Sequence, residues 1–306
     1  MKKVSVIMPT YKREIGMISN AVGSVLGQSY ENIELVVVDD SPEDFPHREE
    51  VGAYLESLKD DRILYIKNEK NLGGALARNE GIKKATGDYI TFLDDDDMYL
   101  EDKVKNQVKA MEAGSYDMTF TNLVLKNLKG QVVDVRTFHD ITTTEGDAFI
   151  KYHLLNHATG TPTFMFKAEV LRSIGGFDDA IMGQEFYLML KTIESGARIG
   201  YLDLYDTVAF RHSGESISSG MGKIKGEKIL QDRKEEYFYL FNNKEKRFIR
   251  MRHRLVLSLA SYKNGLYFDT VKYFFASFFT APLQFIKLGL NYLKVYFKEN
   301  RKITML

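Results

Sequence analysis

Residues 89–97 read Tyr89-Ile90-Thr91-Phe92-Leu93-Asp94-Asp95-Asp96-Asp97. A short apolar run ends on four carboxylates. Apolar runs of this length, bounded by turn signals, are buried strands. Thr86-Gly87-Asp88 supplies the turn before it. Four adjacent carboxylates at the end of a buried strand repel one another unless a cation is near. In an extended chain Asp94 and Asp96 face one side, and Asp95 and Asp97 the other. Two carboxylates on one side suit a hard divalent ion, which takes oxygen ligands. The plain alternative is a solvated acidic turn, with Asp97 capping a helix that begins near Tyr99. An EF-hand loop is excluded, because its glycine and terminal glutamate are missing.

The same rhythm surrounds this strand. Val4–Met8, closed by Pro9, and Ile33–Val38 and Ile63–Ile66 are further apolar runs. Between them lie helical stripes: Met17, Ile18, Ala21, Val22, Val25 and Leu26, then Val51, Tyr54, Leu55 and Leu58, then Leu72–Ala85. Strand–helix alternation predicts a mostly parallel sheet with helices on both faces. Ligands of such sheets bind beyond the carboxyl ends of the strands. After a helical Leu100–Ala113 the pattern becomes mixed. Met118–Leu125 and Gln131–Arg136 read as strands around the turn Asn127-Leu128-Lys129-Gly130. Thr163–Phe166, Ala168–Ile174 and Phe186–Ile193 continue the α/β pattern to about Ser213. From Gly226 onward the reading is almost wholly helical, interrupted at Asn264-Gly265 and Pro282.

Composition narrows the function classes. The 306 residues hold no cysteine, which excludes disulfides, thiolate nucleophiles and thiolate metal sites. The formal net charge of zero conceals two halves. Residues 1–210 carry 23 Lys+Arg against 34 Asp+Glu, and residues 211–306 carry 19 against 8. No targeting segment is expected, since Lys2 and Lys3 precede only a short apolar run. Tyr273–Ile286, fourteen uncharged residues, would cover roughly 21 Å as a helix, short of a bilayer core.

Two weaker signals lie near the strand ends. Asp39-Asp40-Ser41-Pro42 is either an Asx-type turn or a carboxylate acceptor for a base or ribose. Asn71-Leu72-Gly73-Gly74 leads into Arg78-Asn79-Glu80-Gly81. These glycines either allow close helix packing or open a helix start toward a phosphate, with Arg78 as cation.

Taken together these segments are specific. Val4–Tyr11, Val36–Ser41, Asn71-Leu72-Gly73 with Ala77–Gly81, and Phe92–Asp97 resemble the N-terminal half of family 2 glycosyltransferases. Gly175-Gly176-Phe177-Asp178 followed by Gln184-Glu185-Phe186 resembles the acceptor-side motif of that family. The resemblance covers roughly residues 1–215. It implies an α/β GT-A fold, a Rossmann-like mixed sheet flanked by helices, with a helical C-terminal extension. It also implies inverting transfer of a hexosyl or N-acetylhexosaminyl unit from a nucleotide diphosphate donor, usually UDP. By matched position, Pro9, Tyr11 and Asp40 would line the nucleotide. Arg78, Asp94 and Asp95 would meet the donor. Asp96 would ligate Mn²⁺ or Mg²⁺, with His212 and, as a further ligand, Asp94. The Glu-Asp pair usual in the family reads Gln184-Glu185 here, which places the general base on Glu185, with Asp178 and Asp179 in reserve. Glutamate reaches one methylene further than aspartate, and Gln184 does not ionise.

Such chemistry needs one carboxylate to take the acceptor proton and a cation to offset the charge on the departing diphosphate. A glycoside hydrolase would need two carboxylates flanking the bond and no nucleotide pocket. Three rivals stand beside the transferase reading. A phosphatase of the haloacid dehalogenase class also uses a DxD after a strand, but near the N-terminus and with Thr or Val where Met98 stands. A sugar-phosphate nucleotidylyltransferase would carry a glycine-rich, arginine-containing segment after the first strand, where Pro9-Thr10-Tyr11-Lys12-Arg13 stands. A non-catalytic nucleotide-sugar-binding membrane scaffold is the third. His153 and His157, spaced i, i+4, lack the glutamate of a zinc protease helix and read as packing residues.

The remaining expectations concern the second half. Ser213–Gly226, with Lys223 and Lys225, reads as a loop closing over the donor diphosphate. The GT-A domain is expected over 1–215, with a nucleotide half to about 115 and an acceptor half from about 116. Residues 216–306 form a basic, aromatic helical region. Arg247, Arg250, Arg252 and Arg254, then eleven aromatics within Leu266–Phe297, point to an anionic membrane surface, the alternatives being a helical tail packed on the catalytic domain or a dimer interface. The expected partners are a nucleotide sugar, a glycan or lipid-linked acceptor and that surface, with no nucleic acid. The expected location is the cytoplasm, peripheral to the inner face of the cell membrane.

Overall fold

The computed structural model describes residues 1–211 and 220–290. The chain divides into two units, Met1–Ala180 with Gln184–Gly214, and Ile181–Gly183 with Glu215–Leu306. The first unit begins β1 (Val4–Thr10), α1 (Ile15–Leu26), β2 (Ile33–Asp39), α2 (Arg48–Ser57), β3 (Ile63–Lys67), α3 (Gly74–Lys84) and β4 (Tyr89–Phe92). It continues β5 (Met98–Tyr99), α4 (Lys103–Gly114), β6 (Met118–Thr121), β7 (Leu123–Asn127), β8 (Val132–Arg136) and α5 (Gly146–Asn156). It ends β9 (Met165–Lys167), α6 (Ala168–Ser173), α7 (Gln184–Glu194), β10 (Ile199–Leu202) and β11 (Thr207–Arg211).

One sheet has seven strands in the order β10-β6-β9-β4-β1-β2-β3. β1 pairs parallel with β2 and β4, and β9 runs antiparallel to both of its neighbours. The carboxyl ends of β1, β2 and β4 therefore open on one edge, where the Asp94–Asp97 run emerges. β1 and β2 are buried almost throughout, which explains their unbroken apolar runs. On α1, Ile18, Ala21, Val22 and Val25 form one buried stripe. They join the cluster that holds Val6, Met8, Leu35 and Val37. On the other α/β contact, Gly81 of α3 approaches β1 so closely that a Cβ would lie 2.5 Å from Ile7 Cγ2. The packing role of that glycine is thereby observed.

Met118–Leu125 is two strands, not the single one the apolar pattern predicted. β6 belongs to the seven-stranded sheet and β7 to a second sheet of order β5-β11-β7-β8. The break is Asn122, buried, whose Nδ2 donates to Asp203 Oδ1 at 2.7 Å and whose backbone N–H donates to Leu204 O. A polar side chain satisfied by a neighbouring loop thus moves the chain between sheets without an apolar signal. The turn after β7 is as expected, with Gly130 at φ 77° and Asn127 Oδ1 accepting from Lys129 and Gln131 N–H.

In the second unit the described elements are helical: α8 (Gly220–Glu235), α9 (Asn243–Lys263) and α10 (Tyr267–Thr280). Asn242 caps α9 in a reciprocal box with Glu245. Lys223 and Lys225 therefore lie on α8 and not in a closing loop; residues 213–219 of that expected loop fall outside the described residues. Nor are the arginines of α9 a free cationic strip. Arg250 pairs with Glu235 through Nε and Nη2, both at 2.9 Å, and Arg254 Nη1 donates to Ala276 O at 3.2 Å and to Thr280. None of the helices is long and apolar enough to cross a membrane, among the described residues.

One ionic anchor ties the amino end of the sheet. Glu34, at the start of β2, accepts from Ser5 Oγ, Thr86 N and Thr86 Oγ1, and its carboxylate lies against Lys3 Nζ. Burial alone would raise its pKa, but the bonds from Lys3, Ser5 and Thr86 outweigh this and hold it down to about 2, from an ordinary 4.5. A depressed carboxylate stabilises the fold above its unfolded pKa and loses that contribution as pH falls toward the folded one. Glu34→Gln is expected to lower the unfolding free energy at pH 7 by roughly 1–3 kcal/mol. The gap from wild type should narrow as pH falls from 4.5 toward 2, which urea unfolding at several pH values will check.

Candidate active site

The four carboxylates occupy a tight turn, in which Asp97 N–H donates to Asp94 O at 3.0 Å. Their side chains separate into two pairs, as alternation predicted. Asp95 and Asp97 are buried, whereas Asp94 and Asp96 remain partly exposed. Burial pushes Asp95 up to about 6, with Arg13 and the Thr10 hydroxyl opposing the shift. Asp97 is pushed well above its ordinary value by burial and by the neighbouring Asp94 and Asp96 charges. Asp97 does not cap a helix, because α4 begins only at Lys103. Its Oδ1 accepts from Phe210 N–H of β11 at 3.1 Å, which fastens the turn to the second sheet.

Two arginines answer this charge. Arg13, just beyond β1, donates from Nε to Asp95 Oδ1 at 3.0 Å and from Nη2 to Asp96 Oδ2 at 2.7 Å. Thr10 Oγ1 donates to the other oxygen of Asp95 at 2.7 Å. Arg78, on α3, donates from Nη2 to Asp94 Oδ1, while its Nη1 lies 3.4 Å from Gln184 Oε1. The Arg78 guanidinium also sits 5.5 Å from the Phe177 ring centroid. The acidic turn and the first residue of α7 thus meet at one side chain. Glu185 follows in the first turn of α7 and is partly exposed.

Asn79 fixes that meeting. Its Oδ1 accepts from Phe177 N–H and its Nδ2 donates to Phe177 O, both at 2.8 Å. Gly175 and Gly176 make this approach possible, at φ 79° and 63°. A Cβ on Gly176 would lie 2.5 Å from Asn79 Oδ1. Asp178, a reserve base in the sequence reading, pairs with Lys191 Nζ at 2.6 Å, and Asp179 is exposed without a place in this cluster.

At the nucleotide side the arrangement departs from expectation at Asp40. Its carboxylate is buried and engaged by the chain itself. It accepts from Asn68 Nδ2 at 2.8 Å, from Leu72 N–H and from Gly73 N–H at 2.8 Å. A carboxylate so occupied holds the turn into α3 in place of presenting open acceptors. Tyr11 is exposed beyond β1 and Pro9 half-buried within it. His153 is buried, stacked on Phe186 at 4.4 Å with Nε2 3.0 Å from Phe186 O, in keeping with packing.

The sequence matches glycosyl transferase family 2 over residues 5–174. The chain belongs to that family. It is 38% identical over 132 residues to a glycosyltransferase of Rickettsia felis, covering 43% of this chain and 21% of that protein. It therefore spans about a fifth of the length of that curated relative. A second relative is the Escherichia coli UDP-Glc:alpha-D-GlcNAc-diphosphoundecaprenol beta-1,3-glucosyltransferase WfaP. Identity there is 30%, over 73% of this chain and 82% of that one. The crystal structure of S. aureus TarS 1-349 in complex with UDP-GlcNAc superposes with a TM-score of 0.60 at 18% identity, over 86% of this chain and 84% of that one. The fold of this family 2 chain is GT-A.

In the family 2 chain a divalent ion has a chemically suitable edge. Asp94 and Asp96 are partly exposed oxygen donors at a strand end, of the kind Mg²⁺ and Mn²⁺ share with substrate phosphates. No group of three or more His, Cys, Asp or Glu is arranged as a metal cage among the described residues, and His212 lies outside them. The donor set thus fits an ion held by one or two carboxylates together with phosphate oxygens, not a preformed all-protein site. Sequence reading quoted Thr10, Asn79 and Phe177 within its motifs and Arg13 beside the first of them, but gave none of the four a role. The repulsion of four carboxylates was the available signal for Arg13, the second cation after β1.

Two substitutions test this construction. Arg13→Ala leaves buried Asp95 without its cation and should cost roughly 1–3 kcal/mol at pH 7, less than a fully buried pair because Arg13 is a third exposed. Gly176→Ala adds a Cβ at positive φ against Asn79 and should cost about 1–3 kcal/mol. Denaturant unfolding in metal-free buffer reads both; wild-type stability in either would remove the corresponding contact from the account.

Proposed function

We propose that this family 2 enzyme is an inverting transferase that moves a hexosyl or N-acetylhexosaminyl unit from a UDP-sugar to a hydroxyl of a lipid-linked glycan, in surface polysaccharide synthesis. The carrying observation is Arg78, which touches Asp94 on the donor side and Gln184 at the head of α7. A donor diphosphate at the strand ends and an acceptor at α7 would then be neighbours. WfaP, named for a UDP-Glc donor and a diphosphoundecaprenol-linked acceptor, and TarS, crystallised with UDP-GlcNAc, support the choice of substrates. Residues 1–215 form the transferase part in this reading, and residues 216–306 bring it to the cytoplasmic membrane face.

Each residue has a part in this reading. Pro9 and Tyr11 flank the base. Asp40 holds Leu72 and Gly73 so that the start of α3 and Arg78 face the diphosphate. Asp95 keeps Arg13 and Thr10 in register behind Asp96. Asp96, with Asp94 and His212, would hold Mn²⁺ or Mg²⁺. Bound there, the ion would neutralise charge on the leaving diphosphate. Glu185 takes the proton of the acceptor hydroxyl as its oxygen bonds to the anomeric carbon from the face opposite the diphosphate. The anomeric C–O bond breaks, UDP departs with the electron pair, and the proton on Glu185 returns to solvent.

Incubation with a panel of UDP-sugars, Mn²⁺ and a diphosphoundecaprenol-linked acceptor should release UDP. Glu185→Gln is expected to slow turnover by about 10²–10⁴-fold while UDP affinity stays within a few-fold. Asp96→Ala should lose Mn²⁺-dependent UDP binding. Full turnover in Glu185→Gln would overturn the base assignment, and no UDP release from any donor would favour a non-catalytic binding role.

A further inference from the structure

We propose that α10 is an in-plane membrane anchor whose outward aromatic face lies in the interface of an anionic bilayer. This rests on the lipid-linked acceptor read above, which brings the enzyme to a membrane. It adds which surface makes contact and in what orientation.

The face is defined by how α10 is locked to α9. Ser277 Oγ donates to Met251 O at 2.7 Å, and Ser258 Oγ donates to Thr270 O at 2.9 Å. Thr270, Ser277 and Ala281 therefore mark the inner side of the hairpin. The opposite side carries Phe268, Val271, Phe275 and Phe279, spaced three or four apart and all exposed, with Phe268 at 83% and Phe279 at 73%. At Ala281-Pro282 the chain bends, and Phe285 returns onto Phe274 and Phe278 at 5.3 and 5.7 Å. Leu283 and Ile286 remain exposed on the helical run 282–290. A soluble surface does not ordinarily leave so many aromatic side chains contiguous in water.

Charge selects the occupant. Between residues 255 and 290 the chain has Lys263, Lys272 and Lys287 against one acid, Asp269. A second copy of the same basic face would be repelled, whereas anionic lipid would be attracted. Fourteen residues of α10 span roughly 21 Å, too little to cross a bilayer, so the helix lies along the surface with Phe and Val toward the acyl boundary. The main attraction is apolar, because Arg250 and Arg254 of α9 are engaged within the unit.

The full-length chain is tested by co-sedimentation with phosphatidylcholine vesicles with and without phosphatidylglycerol. Wild type should bind the mixed vesicles, and the double variant Phe275→Ser with Phe279→Ser should bind them more than about tenfold more weakly. Lys287→Gln should reduce the advantage of phosphatidylglycerol by about fivefold. Both phenylalanines face solvent, so the thermal transition of the double variant should match wild type. Equal vesicle binding by the two proteins, or none by wild type, overturns the anchor. So does a wild-type dimer in sedimentation equilibrium that the double variant converts to monomer, since the face would then join two copies. UDP affinity is measured on the same proteins: its absence in all of them would defeat the transfer reading and leave the anchor standing.

Discussion

The repulsion among Asp94, Asp95, Asp96 and Asp97 is the constraint around which the first unit is arranged. A strand end cannot hold four ionised carboxylates unless positive charge or donors are brought to it. The four carboxylates are answered from three parts of the chain: Asp94 by Arg78 of α3, Asp95 and Asp96 by Arg13 with Thr10 from the end of β1, and Asp97 by Phe210 N–H of β11. Satisfying the charge therefore also assembles the site. Arg78 is drawn to Asp94, and Phe177 and Gln184 are found beside it because Asn79, the next residue, grips the Phe177 backbone at both ends.

Burial divides the labour within the quartet. Asp95 and Asp97, inside, hold backbone and side chains in register. Asp94 and Asp96, at the rim, are the ones a ligand can reach. A similar division separates Asp39 and Asp40 from the surface. Asp39 accepts from Ser41 N–H and the Tyr65 hydroxyl, and Asp40 from Asn68, Leu72 and Gly73. Carboxylates at strand ends here mostly shape loops, and only Asp94 and Asp96 of these keep partly exposed side chains.

How much of this was legible follows from which forces leave a local trace. Val4–Met8, Ile33–Val38 and Tyr89–Leu93 are strands because continuous burial demands continuous apolar sequence, and that pattern is visible without a partner. The sorting of the aspartates by alternation also survived, although a turn and not an extended chain produces it. Asn122 was invisible as a break, since its reason is Asp203, eighty-one residues away. Lys223 and Lys225 looked like loop residues because glycine and serine precede them, yet they belong to α8. The arginines of α9 counted as surface charge in composition, while Arg250 pairs with Glu235 and Arg254 donates to Ala276 O and the Thr280 hydroxyl of α10. Contacts between distant residues leave no local pattern, and these are where reading and structure part.

The position of β9 has a consequence for how the protein is made. Three residues, Met165–Lys167, form the seam between β4 and β6 and run against both. During synthesis β1 to β4 emerge first and can pair among themselves, but the β6 and β10 side has no bond to them until this seam is inserted. Phe177, which seats Arg78, emerges later still. A growing chain thus carries the acidic turn with Arg13 and Arg78 already made, while Phe177, which seats Arg78, is some eighty residues away and Phe210, whose N–H meets Asp97, is further still.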